Sequence, residues 1–233
     1  MSFLVTLQET CTHASLNKLA LRVHHTKNDN IPLGNPSRYY ITFDRLRPLT
    51  VFNNIKSITL DIPCGTDLNE HQLLCLATSW PHLEWFQVGT DYDWTSSSTI
   101  TPGGFLQLLE ACRSLRRFYF VFDTRGCAEI PQGHPWRGLS MPKNASLHLL
   151  NSPIEEESIE ALGVFFHVAP YPDFHLSTHW NNRRFRGSER PKELYDLYHE
   201  RWERVRDLAL ALWEERAKLR NSMETRSLSR WSQ

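Results

Sequence analysis

Within residues 80–123 one pattern occurs twice in succession, and it restricts the fold more than any other stretch of the 233 residues. The first copy reads Trp80-Pro81-His82-Leu83-Glu84-Trp85-Phe86-Gln87-Val88, and the second runs from Ala111 through Leu115, Phe118 and Phe120 to Asp123. In each, an apolar residue is followed by others three and five positions later: Leu83, Phe86, Val88, then Leu115, Phe118, Phe120. Spacing that changes from three to two marks a chain leaving a turn and entering a strand, where alternate side chains face one way. Each copy follows a segment with helical spacing, so the unit is a helix, a tight turn and a short strand. Such units in series predict a solenoid, because one unit cannot bury its apolar face alone.

The same spacing returns at Leu16, Leu19, Leu21 and at Ile55, Ile58, Leu60. With candidate strands at Leu147 and Phe174, the strand anchors are Leu16, Ile55, Leu83, Leu115, Leu147 and Phe174, separated by 39, 28, 32, 32 and 27 residues on subtraction. Leucine-rich repeats run roughly 20–29 residues, and longer ones carry loop insertions. The pattern begins inside a repeat, so an upstream segment or a partner is expected to cover that end. Helix signals alternate with the strands. Phe3, Leu4, Leu7 and Cys11 share one side, and residues 45–52 form a short helix interrupted by Pro48. Asp67 is the expected cap of the next helix, with Glu70 as its capping-box partner. Proline at Trp80-Pro81 stops that helix, and Thr101-Pro102 opens another whose core face is Phe105, Leu108, Leu109 and Cys112. Ser152-Pro153 opens a helix with Glu155, Glu156 and Glu157 in its first turn and Ile159, Leu162, Phe165 and Phe166 inward. Residues 24–38, 91–98 and 125–144 are polar or rich in Pro and Gly and read as loops.

Residues 1–180 therefore form the solenoid, 181–192 a basic linker, 193–225 a C-terminal helix and 226–233 a tail. In the helix Leu194, Leu197, Tyr198, Val205, Leu208, Leu212 and Leu219 fall largely on one face, with Trp202 and Trp213 flanking it. It is expected to cap the last repeat, or alternatively to serve as a partner helix.

Residues 74–123 are similar to fungal F-box proteins with degenerate leucine-rich repeats. The resemblance is carried by Ala77-Thr78-Ser79-Trp80-Pro81-His82-Leu83-Glu84 and by Thr101-Pro102-Gly103-Gly104-Phe105 through Cys112-Arg113-Ser114-Leu115. It extends over about residues 3–180. It implies an α/β leucine-rich-repeat-like solenoid with a curved parallel sheet and outer helices. The consensus Asn or Cys, eight residues after the first Leu, is replaced here by His24, Pro63, Asp91 and Asp123. In the family the repeats recognise the substrate of a ubiquitin ligase, and an N-terminal F-box docks a Skp-type adaptor. That F-box module is not found in this chain, so a Skp-type adaptor is an expected partner only if one lies upstream.

Charge and motifs exclude most other classes. Lys plus Arg equals Asp plus Glu at 26 each, so nothing global attracts nucleic acid or an anionic membrane. No apolar run approaches a membrane span, and the N-terminus lacks a signal peptide's basic start. The five cysteines, Cys11, Cys64, Cys75, Cys112 and Cys127, contain no C-x-x-C and read as reduced thiols of a cytoplasmic or nuclear protein. Thr101-Pro102-Gly103-Gly104 lacks the Lys of a phosphate loop and reads as a helix cap. His24, His25, His167, His175 and His179 are scattered without ligand spacing, and the three Glu at 155–157 read as a solvated helix turn. Asp91 and Asp93 are a loop acid pair. The basic run Arg183, Arg184, Arg186, Arg190, Lys192 has one aromatic, Phe185, too few for a base-stacking set; it reads as a solvated linker, with nuclear import as the alternative. No cofactor, metal, nucleic acid or membrane is expected, and no enzymatic activity.

The interleaved strand residues carry the functional expectation. If Leu83, Phe86 and Val88 point inward, Trp85 and Gln87 point out, as do Lys18, Arg22, Ser57, Thr59, Asp61, Arg117, Tyr119 and Asp123 by the same alternation. Trp, Tyr and Arg dominate interface energetics. The chain is thus expected to bind another protein through a ladder containing Lys18, Arg22, Asp61, Trp85, Gln87, Arg117, Tyr119 and Asp123. The alternatives are a scaffolding solenoid fragment without a ubiquitin role and, more remotely, an enzyme.

Overall fold

The structure, a computed structural model, describes residues 3–22, 40–61, 65–88, 99–125, 127, 139, 145–167, 175–178, 180 and 191–230. It is a mixed α/β fold. Six short strands, β1 (Lys18–Arg22), β3 (Ser57–Asp61), β5 (Trp85–Val88), β6 (Arg117–Tyr119), β7 (Ser146–His148) and β8 (His175–Ser177), lie side by side in chain order. All five pairings are parallel. A separate parallel pair joins β2 (Tyr40–Thr42) to β4 (Gly65–Asp67).

The apolar anchors form one row across the large sheet: Leu19, Ile58, Phe86, Phe118, Leu147 and Leu176 are successive partners. Leu147 thus stands where Phe118 stands, three residues later in the unit than its expected role as first anchor. Phe174 lies outside the described residues. The in-register steps are 39, 28, 32, 29 and 29 residues by subtraction. The strand starts are alike too. The amides of Lys56 and Ser57 both donate to the Asn17 carbonyl, those of Glu84 and Trp85 to Lys56, and those of Arg116 and Arg117 to Glu84. Just before, the amides of Ile55, Leu83 and Leu115 each close a turn onto the carbonyl three residues back. The same local sequence pattern therefore satisfies the same backbone groups three times.

Helices α1 (Phe3–Thr10), α2 (Phe43–Leu46), α3 (Glu70–Ser79), α4 (Pro102–Ala111) and α5 (Ile159–His167) supply the other side of the core. At Pro48 the α2 turn tightens into a 3-10 helix, Arg47–Val51, because proline lacks the N–H that would continue the α ladder. Trp80, with no solvent exposure, ends α3 and donates its indole N–H to the Leu49 carbonyl at 3.0 Å. Phe86, Phe118 and Phe105 stack between sheet and helices with centroids 5.4–5.9 Å apart, and Phe122 packs on Phe105 at 5.5 Å, tilted by 56°. The expected core face of α4 is buried as read, and so is that of α5.

Two helix starts differ from the sequence reading. The cap of α3 is Asn69, whose side chain takes the Gln72 amide while Gln72 takes the Asn69 amide. Asp67 belongs to β4 instead. Glu70, released from a capping box, reaches the Thr101 amide at 2.9 Å and the Thr101 hydroxyl, tying the start of α3 to that of α4. At the other site helical structure begins only at Glu156, and Ser152 is a buried hub. Its hydroxyl accepts from the Phe122 amide at 2.7 Å and donates to the Leu149 carbonyl.

The long helix α6 (Lys192–Arg230) packs mainly on α5. Its docked face is Tyr195, Tyr198, Trp202 and Val205, at spacings of three and four, continued by Leu208. Trp202 is therefore central rather than flanking, while Leu197 and Leu219 are exposed. The reason is a distant acceptor: the indoles of Trp180 and Trp202 both donate to the Ser152 carbonyl, at 2.8 and 2.9 Å. Glu155 and Glu156 are solvated, as expected, and also pair with α6. Arg201 lies 3.8 Å from Glu155 and 3.3 Å from Glu156, and Arg204 meets Glu156 at 2.6 Å. Among the described residues no helix is long and apolar enough to cross a membrane.

Candidate functional site: the outward face of the sheet

Strand alternation places one side chain in two on the sheet's outward face. Two rows result. The first is Lys18, Ser57, Trp85, Arg117, Ser146, His175; the second is Ala20, Thr59, Gln87, Tyr119, His148, Ser177. Arg22 and Asp61 face each other as a third, two-membered row. Seven of the eight expected residues, Lys18, Arg22, Asp61, Trp85, Gln87, Arg117 and Tyr119, lie on this face.

Asp123 does not. The chain leaves the sheet after Tyr119, and Phe120, Val121 and Phe122 are all buried, so the alternation stops. The Asp123 amide bonds the Ile100 carbonyl, and its carboxylate accepts from the Arg125 amide, Nε and Nη2 at 2.9–3.0 Å. Burial pushes that carboxyl up, but the hydrogen bonds and charge of Arg125 outweigh it and hold the acid below its ordinary range. Thr59, though outward in register, is 4% exposed and offers little to a partner.

The face is centred on a continuous stack. The Arg117 guanidinium sits 4.5 Å from the Trp85 ring centroid. Trp85 and Tyr119 stack at 6.2 Å and 13°, and Tyr119 and His148 at 4.0 Å and 5°. His148 continues to His175 at 5.8 Å, and its Nδ1 shares a hydrogen bond with the Ser177 hydroxyl. Each aromatic contact contributes about 0.5–1.5 kcal/mol beyond burial, and an exposed cation–π contact about 0.5–1 kcal/mol. The row is thus built in advance of any partner. Burial raises the Tyr119 phenol above its ordinary value, with only partial relief from Arg117, so at neutral pH it is an O–H donor. The Trp85 indole N–H is already directed to Gln87 Oε1 at 3.3 Å.

His148, His175, Ser146 and Ser177 extend the expected set. Their signal was present, since Leu147 and Leu176 are flanked by them at strand alternation, but reading it required the register. The remaining candidates fall elsewhere. Thr101 caps α4, accepting from the Gly104 amide at 3.2 Å. His167 bonds the Val164 carbonyl. His24, His25, His179, Asp91, Asp93, Cys64, and the basic run from Arg183 to Arg190 lie outside the described residues; Lys192 pairs with Asp196 at 3.9 Å. Among the described residues no three His, Cys, Asp or Glu side chains converge as metal ligands would, and Cys11, Cys75, Cys112 and Cys127 are free thiols.

Comparison with models of known protein families gives no match, and neither does comparison with curated proteins.

Proposed function

We propose that this chain is a non-catalytic protein-interaction module that docks its partner on the outward face of the six-stranded sheet. The observation that carries the reading is the stacked row Trp85–Tyr119–His148 with Arg117 beside it. A surface that presents Trp, Tyr and Arg already ordered loses little side-chain entropy on binding. A leucine-rich-repeat-like solenoid is the architecture proposed for it. Support comes from strands in chain order, steps of 28–32 residues after the first, and three like strand starts. By its resemblance to F-box proteins, the face would be the substrate-recognition part of a ubiquitin-ligase subunit, working inside the cell in cytoplasm or nucleus.

The test is quantitative affinity purification of the wild-type chain beside Arg117→Glu and Tyr119→Ala. One or more partners should be lost from both variants while circular dichroism is unchanged. Identical partner sets would dismiss the face as the docking surface. The ligase assignment is tested separately. The coding sequence upstream of Met1 is joined in frame to the chain, and co-purification of a Skp-type adaptor is measured; its absence removes that role and leaves the docking reading intact.

A further inference from the structure

The chemistry of the face narrows its partner, on the premise that it is a protein-docking surface. Among the described residues of its three rows, Lys18, Arg22 and Arg117 are exposed, against one carboxylate, Asp61, which is already engaged. Among the described residues neither the Arg117 guanidinium nor the Tyr119 hydroxyl has a carboxylate partner. Tyr119 lies between Trp85 and His148, and His148 between Tyr119 and His175. Tyr119, with a ring against each face at 13° and 5°, therefore offers a visitor its edge and its hydroxyl, whereas His148 and His175 are tilted at 46°. Edges are the electropositive rim of an aromatic quadrupole. Base stacking needs free ring faces, and Tyr119 at the centre of the stack offers none. Carboxylates are favoured instead: they accept from a guanidinium and a phenol, and they meet three cations within reach.

The geometry points to an acidic segment of another protein as the occupant, laid across the strands with carboxylates on Arg117 and the Tyr119 hydroxyl and its flanks near Lys18 and His175. From β1 to β8 are five inter-strand steps of about 4.8 Å, so an extended segment of about seven residues spans the row.

A random peptide library displayed on phage is selected against the immobilised full chain, and the enriched peptides are synthesised with a fluorophore. Enriched sequences should be rich in Asp and Glu. Their affinity should fall about tenfold or more between roughly 50 and 300 mM NaCl, as contacts between exposed charges are screened. Arg117→Glu should weaken them at least about tenfold, and Tyr119→Phe several-fold, because hydrogen bonds to a charged group are among the stronger ones. Arg216→Glu, on the exposed part of α6, should leave them unchanged. Arg117 is exposed and Tyr119→Phe removes only a hydroxyl, so neither variant threatens the fold. Enriched peptides without acidic bias, yet lost in both variants, would keep the docking face and overturn the acidic partner. Acidic peptides indifferent to both variants would overturn the face itself, and no enrichment over bare matrix would overturn both. A single-stranded oligothymidylate bound more tightly than the best peptide, and released by Arg117→Glu, would make nucleic acid the occupant and end the proposal.

Discussion

Gly163 of α5 and Leu208 of α6 meet so closely that a Cβ on Gly163 would lie 2.5 Å from Leu208 Cδ2 and 3.1 Å from its Cβ. The second distance matters more. A methyl end can rotate away, but a Cβ moves only with its helix. Gly163→Ala gains about 1 kcal/mol in helix propensity and loses about 1–3 kcal/mol to overpacking. We expect net destabilisation of about 1 kcal/mol in urea unfolding. Leu208→Ala removes the two nearer atoms, Cδ2 at 2.5 Å and Cγ at 2.8 Å, and leaves the Cβ contact at 3.1 Å, so the double variant Gly163→Ala/Leu208→Ala should be more stable than the two single effects added together, though not fully relieved. Strict additivity would show that the helices do not touch there.

The Ser152 carbonyl receives two indole N–H groups, so each indole is replaceable in part. Trp202→Phe keeps the ring in place but removes one donor and part of the volume, while Trp180 still satisfies the carbonyl. A loss of about 1–3 kcal/mol is expected. Ser152→Ala acts differently. It strands the buried Phe122 amide, which has the Ser152 hydroxyl as acceptor, at a cost of about 1–3 kcal/mol. Chemical denaturation followed by tryptophan emission measures both, and a wild-type midpoint for Ser152→Ala would refute the hub.

These relationships mark where sequence reasoning reached its limit. Leu83, Phe86 and Val88 were legible because the three-then-two spacing is itself a record of local geometry. The second copy was legible only to Phe120: Phe120, Val121 and Phe122 are all buried because the chain crosses toward Ile100 and Ser152, which no local period reports. Asp67 and Asn69 each have a capping-box partner three residues on, Glu70 and Gln72. The choice was made at a distance, since Glu70 is needed at Thr101. The β2–β4 pair is two three-residue strands with no alternation to detect. Trp202 looked peripheral because its acceptor is fifty positions away. The outward face followed from alternation alone, but the stack on it depends on register, which placed His148 beside Tyr119.

Thiol reactivity offers a pH test. Burial pushes the Cys112 thiol up to about 12 and Cys127 up to about 11. Alkylation by iodoacetamide at about pH 8 should therefore spare both in the folded chain and label them in denaturant, read by peptide mass spectrometry. The sign for stability follows. An unfolded cysteine ionises near pH 8.5, whereas these folded thiols keep their protons, so the folded state holds more protons above that pH. The stabilisation is complete below about pH 8.5 and is lost as pH rises towards 11–12, at about 1.4 kcal/mol per pH unit per thiol. Cys112→Ala should flatten this alkaline decline, and an unchanged slope would contradict the burial.

Glu70 and Gly104 form the last pair, and two effects compete in it. A Cβ on Gly104 would lie 2.6 Å from Glu70 Cδ, because the Glu70 side chain crosses Gly104 to reach Thr101. Gly104→Ala gains about 1 kcal/mol of helix propensity. Displacing Glu70 forfeits the hydrogen bonds that the Thr101 amide and hydroxyl donate to its charged carboxylate at the N-terminus of α4, worth about 1.5–3 kcal/mol. The second effect is larger, so Gly104→Ala should destabilise by about 1 kcal/mol. In a Glu70→Ala background the carboxylate is gone, its loss already taken, and only the propensity gain is left. The same Gly104→Ala change should then stabilise by about 1 kcal/mol. That reversal of sign, measured by urea denaturation of the four proteins in the cycle, is specific to the link between the two helix starts. A substitution at Gly104 with the same sign in both backgrounds would show that Glu70 does not hold α4 in place.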